Sequence, residues 1–202
     1  QILRREAERL GHSSSFTVYD TGDTRALLKR LLSEAGADDA DVKPQVAASV
    51  ISNAKNELKD AEDFARNADR SNPRERIIAE VYSAYQAELM RNNAFDFDDL
   101  IVETVNLFRN FPEVRARYQK RFRHVLIDEY QDTNHAQYAL IRELTKSLPA
   151  EYANFDEKTG EQLGPADLTV VGDSDQSIYA FRGADIRNIT EFERDFVGAE
   201  TI

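Results

Sequence analysis

Two short apolar runs in this chain end in carboxylates. His124-Val125-Leu126-Ile127 stops at Asp128-Glu129, and Leu168-Thr169-Val170-Val171 stops at Gly172-Asp173. In open parallel sheets ligands bind at the carboxyl ends of the strands, so the residues after such runs are where chemistry is expected first. A hard Mg2+ ion carrying nucleotide phosphates takes one or two carboxylates and keeps water and phosphate oxygens as its other ligands. Asp128, at the rigid end of a hydrophobic strand, suits that role. An adjacent Glu can reach past the metal to orient and deprotonate the water that attacks a γ-phosphate, and Glu129 suits that one. On the dipeptide alone a plainer reading leads, a helix N-cap with a favourable first-turn charge.

These residues need elements to hold them. Both runs are too short for helices, and helical patterns follow each. Asn134 caps one with Ala136, Leu140, Ile141, Leu144 and Leu148, and Asp185 caps another with Ile186, Ile189, Phe192 and Phe196. Strand, helix, strand, helix with fully apolar strands predicts a parallel α/β sheet buried on both faces. Residues 1–92 read as essentially all-helical. Leu27, Leu28, Leu31 and Leu32 follow a start at Asp20, Pro44 opens a helix with Ala47, Ile51 and Ala54, and Asn72-Pro73 opens one with Ile77, Val81, Tyr85 and Leu89. From Lys55 to Arg76 six bases balance six acids, which predicts a solvated helical surface. Pro149 to Asp167, polar and long for a connection, predicts a mobile surface excursion.

Composition narrows the function. A net charge of −11 over 202 residues argues against coating nucleic acid by bulk attraction, so any nucleic-acid role must be local. The basic stretch Arg109 to Arg123, six positive against Glu113 alone, is a candidate backbone-contacting face, with a solvated helix surface as the plainer reading. Zero Cys removes disulfide scaffolds, thiolate metal sites and Cys nucleophiles. No apolar run approaches the roughly 18 residues of a membrane span, and the first residues lack a signal-peptide core. The expectation is a soluble cytoplasmic protein without membrane association. A single Met, Met90, and an opening in mid-helix read as a piece of something longer.

The string V-L-I-D-E-Y-Q-D-T-N at 125–134, followed by V-V-G-D-S-D-Q-S-I-Y-A-F-R-G-A-D at 170–185, closely resembles motifs II and III of the UvrD/PcrA/Rep-type superfamily 1 DNA helicases. F-D-F-D-D-L-I, Phe95 to Ile101, is similar to a family element just upstream of motif II. Its plainer reading, Asp96 as N-cap with Asp98 and Asp99 in the first turn, is compatible with that. The resemblance implies a partial P-loop NTPase (RecA-like) parallel sheet plus an all-α inserted subdomain. Residues 1–19 would be a remnant of motor subdomain 1A, 20–108 the helical subdomain 1B, and 109–202 the second segment of 1A. It implies Asp128 on Mg2+, Glu129 as catalytic base, and Gln176 sensing the γ-phosphate or the attacking water. Tyr179 and Phe181 would present aromatic faces to bases of single-stranded DNA, and Arg182 would link that loop to the DNA and ATP sites. Stacking is worth roughly 1–3 kcal/mol per base and is indifferent to sequence, as a motor needs. Phe181 departs from the Trp of many relatives and offers less stacking area.

The Lys-bearing phosphate loop G-x-x-x-x-G-K-[S/T] is absent, since none of the eight Gly residues is followed by Lys. The family's downstream arginine-finger motifs are absent too. The expectation is therefore part of an ATP- and Mg2+-dependent 3′ to 5′ DNA helicase. The parent would act on single-stranded DNA and duplex junctions, with repair or replication proteins as possible partners, and the chain alone would be inactive. The alternative is a non-enzymatic DNA- or partner-binding module. A Mg2+-dependent nuclease would need more acids converging on one metal pair.

Overall fold

The structure, a computed structural model, describes residues 1–37, 42–173 and 196. The chain divides into two compact units, Gln1–Thr104 and Val105–Ile202.

The first unit is mostly helical. α1 (Ile2–Glu6) passes into a 3-10 turn, Ala7–Leu10, which Gly11 ends in the left-handed conformation that glycine adopts without strain. α2 (Thr21–Glu34) begins at Asp20, whose carboxylate accepts the N–H groups of Gly22 and Asp23 while Asp23 caps Asp20 in return. α3 (Pro44–Asn56) starts on its proline, α4 (Ala61–Asn67) on Asp60 and α5 (Pro73–Arg91) on Asn72. The apolar faces of α2, α3 and α5 meet in one core with Leu28, Ile51, Val81, Tyr85 and Leu89 at its centre. Each such side chain contributes about 1.5–3 kcal/mol by leaving water.

Two expectations need correction here. The unit is not purely helical before residue 93, because β1 (Thr17–Val18) pairs in parallel with β2 (Ala94–Phe95), Thr17 opposite Ala94. The Phe95 ring packs against His12 and Phe16, at centroid separations of 4.0 and 4.7 Å. Nor is the charged stretch solvated throughout. Arg66, Arg70 and Arg76 are exposed, but Lys55 is buried. It lies four residues after Ile51, on the inward face of α3, where Asp96 and Asp99 meet it. Those acids start α6 (Phe97–Asn110), Asp96 accepting the Asp99 N–H at 2.9 Å and Asp99 the Asp96 N–H at 3.0 Å.

The second unit carries α7 (Pro112–Arg121), β3 (His124–Ile127), α8 (His135–Thr145) and β4 (Asp167–Val170). β3 and β4 are parallel, His124 opposite Asp167 through Ile127 opposite Val170. Asn134 and Gln137 cap each other at the start of α8. One face of the sheet, through Ile127, Leu168 and Val170, packs on Tyr130, Tyr138 and Ile141. The other leaves Leu126 74% and Val171 62% exposed. The two strands are thus covered on one face among the described residues, not on both.

The segment Pro149 to Asp167 is likewise anchored rather than loose. Phe155 bridges to Gln162, and the Asp156 carboxylate accepts the Lys158 and Thr159 N–H groups. The Asn154 amide donates to the Ala116 carbonyl at 2.8 Å, and Arg123 donates to the Gly164 and Pro165 carbonyls. The polar residues that read as a solvated loop are those that fasten it beside α7.

Candidate functional site

The acidic pair stands where the sheet delivers it, at the carboxyl end of β3. The ladder runs one step past the strands, with the Val171 N–H donating to Ile127 O at 2.8 Å and the Tyr130 N–H to Val171 O at 2.9 Å. Asp128 and Glu129 are both exposed. The Asp128 Oδ1 accepts the Glu129 N–H at 2.9 Å. Glu129 itself is left-handed, φ 50° and ψ 45°, a conformation that costs a residue with a Cβ about 1–2 kcal/mol.

Gln131, 1% exposed, joins the two strand ends. Its Nε2 donates to Glu129 Oε2 at 2.6 Å, and its Oε1 accepts the Asp173 N–H at 3.0 Å. One buried amide therefore holds the Glu129 carboxylate and the Asp173 backbone together. Sequence reasoning quoted Gln131 within the motif string and gave it no role. The available signal was a long amide two residues after the Glu, beside a strand crossing that must be tied. Gln176, Tyr179, Phe181, Arg182 and the helix expected from Asp185 lie outside the described residues.

The donor set suits a hard cation shared with phosphates. Asp128 is an exposed carboxylate at the end of β3. Among the described residues no three His, Asp or Glu side chains converge into a cage, and Mg2+ with a nucleotide needs none.

Two further charged clusters are buried. In the first unit Lys55 Nζ lies 2.6 Å from Asp96 Oδ2 and 2.7 Å from Asp99 Oδ1, and the Tyr85 hydroxyl donates to Asp96 Oδ2 at 2.9 Å. Burial pushes the Asp99 carboxyl up to about 7 despite Lys55. At Asp96 burial also pushes upward, and the Lys55 ammonium outweighs it, leaving that carboxyl below its ordinary value. In the second unit Glu143, 3% exposed, accepts Arg115 at 2.7 Å and Lys146 at 2.6 Å. Arg115, from the basic stretch Arg109 to Arg123, is thus a buried ion-pair partner and not part of a solvated face.

The chain matches the family model described as the UvrD/REP helicase N-terminal domain over residues 1–197. It is 46% identical to the ATP-dependent DNA helicase UvrD1 of Mycobacterium leprae and 47% identical to that of Mycobacterium tuberculosis H37Rv, in each case over all of this chain and 25% of the relative. It is 44% identical to the ATP-dependent DNA helicase PcrA of Staphylococcus aureus Mu50, again over all of this chain and 25% of that protein. The chain therefore spans about a quarter of the length of the curated relatives it matches.

Proposed function

The chain belongs to the UvrD/REP helicase N-terminal domain family, and from that premise we propose that it supplies the acidic half of the nucleotide site in the first motor domain of an ATP-dependent DNA helicase. Asp128 holds the Mg2+ of Mg-ATP, and Glu129 accepts the proton of the attacking water. The ion, when bound, neutralises phosphate charge and polarises the terminal phosphoryl group. Gln176 senses the nucleotide, Tyr179 and Phe181 stack on single-stranded DNA, and Arg182 joins the two sites. Residues 1–19 and 109–202 belong to motor subdomain 1A and 20–108 to subdomain 1B. The parent moves 3′ to 5′ on single strands and at duplex junctions, in the cytoplasm, with repair or replication proteins as partners.

The observation that carries this reading is the Gln131 amide. A general base must sit within hydrogen-bond reach of the proton it takes, at a fixed angle. With Oε2 held by Gln131, Glu129 offers Oε1 to a water, and the same amide ties that carboxylate to the Asp173 loop, from which residues 174–185 lead to the DNA-stacking aromatics. Without the phosphate-loop Lys, the 202 residues alone do not hydrolyse ATP.

The test is Glu129→Gln in the intact parent. It keeps nucleotide binding, measured with a fluorescent ATP analogue, and abolishes DNA-stimulated phosphate release. Retained turnover removes Glu129 from the base role, and turnover by the purified 202-residue chain removes the claim of inactivity.

A further inference from the structure

We propose that the cleft bounded by the end of α6 and by α8 is a second nucleic-acid contact, one that grips the phosphodiester backbone of a single strand and is separate from the stacking residues. The cleft encloses about 310 Å³ and is lined by Arg109, His135, Tyr138, Arg142, Glu143 and Lys146 among others. Its charge is lopsided. Glu143 Oε1 lies 2.6 Å from Lys146 Nζ and 3.5 Å from Arg109 Nε, and Oε2 accepts Arg115 at 2.7 Å. Arg142 adds a fourth cation, its guanidinium 5.8 Å from the centre of the Tyr138 ring. Arg115 is buried, and the three lining cations Arg109, Arg142 and Lys146 against the one lining carboxylate leave an excess of two positive charges at the cleft, in a chain whose net charge is −11.

The cluster is also built. Gln119, 1% exposed, donates to the carbonyls of Glu143 and Lys146 at 2.8 and 2.9 Å, fixing the last turn of α8. Buried Glu143 orients the cations around it, while Arg109 and Lys146 keep 47% and 41% of their side-chain surface in solvent. Arg142 and Lys146 would favour the C-terminal end of α8 in any protein. Arg109 comes from the last turn of a different helix, α6, so the cations of two helix ends meet at one buried carboxylate.

Guanidinium groups are planar, always charged and matched to phosphate oxygens. Three separate heads, Arg109, Arg142 and Lys146, around a cleft wider than one phosphate fit successive phosphates of a strand better than a free anion. The inference rests on the family reading only for the identity of that strand. Its test uses no ATP, so its failure leaves the Glu129 reading intact.

The experiment measures anisotropy of a fluorescein-labelled oligothymidylate with the 202-residue chain across a salt series. Arg109→Gln/Arg142→Gln is expected to weaken binding about tenfold and to flatten the slope of log affinity against log salt by about 1.4, two contacts at about 0.7 each. The exposed control pair Arg74→Gln/Arg76→Gln on α5 leaves both quantities near the parent values. Lys146→Gln alone, which keeps Arg115 on Glu143, flattens the slope by about 0.7 and serves if the double variant does not fold. Equal losses in the control pair overturn the proposal, as does an unbound wild-type chain. Pyrophosphate that shifts the amide resonances of α8 while the oligonucleotide shifts none assigns the cleft to free phosphates and also overturns it.

Discussion

Glu129 combines a backbone conformation that its Cβ disfavours with a side chain tied at one oxygen. The strain persists because the surroundings over-determine it. Asp128 takes the Glu129 N–H, the Asp132 N–H donates to the Glu129 carbonyl at 2.9 Å, and Gln131 holds Oε2. Gln131→Leu in the intact parent removes the last of these without emptying the space. Displacements of about 1 Å at a reacting group cost up to about 10²-fold, so kcat is expected to fall by that order while the KM for ATP stays close to its original value. A residue that merely fills space would tolerate this near-isosteric change, so an unchanged kcat would deny Gln131 a positioning role.

At the scale of elements, the first unit hinges on the junction of α3, α5 and α6 at Lys55. Removing one partner of a buried ion cluster is costly, because the remaining charges stay desolvated. Lys55→Met leaves Asp96 and Asp99 facing each other and should destabilise the unit by about 3–5 kcal/mol in urea denaturation. The pH dependence has a definite sign. The folded-state pKa of Asp99, about 7, lies above its unfolded value of 3.8. Between those values the folded chain holds a proton that the unfolded chain releases, so this group's contribution falls as pH rises from about 4 to 7. Asp96 is shifted the opposite way, and its contribution is lost as pH falls below the ordinary carboxylate range. Asp99→Asn should flatten the decline between pH 4 and 7, measured by urea midpoints; an unchanged slope would assign it to another group. The helices themselves were legible because caps and a 3.6-residue period are local signals, as at Asp20, Asn72 and Asn134. Lys55 was not. Its partner Asp96 is 41 positions away, and a charge count over one segment cannot see across that distance.

Over the whole molecule, the acidic pair and its strand were legible in the sequence, since apolar β-branched runs ending in carboxylates are a one-dimensional pattern. The cover on the strands was not, because it depends on what packs against them. Leu126 and Val171 lie on the strand face opposite Ile127, Leu168 and Val170 and are exposed among the described residues. Leu126→Ser/Val171→Thr should lower anilinonaphthalene sulfonate fluorescence while shifting stability by no more than about 0.5 kcal/mol, as exposed substitutions do. Dye binding that is unchanged would place the apolar surface elsewhere. The β1–β2 pair has another consequence at this scale. It sets Thr17 beside Ala94 and Val18 beside Phe95, so the helices between them leave and return at neighbouring points, about 4.8 Å apart as adjacent strands are. A segment whose two ends lie side by side can change length at little loop-closure cost to the strands that hold those ends.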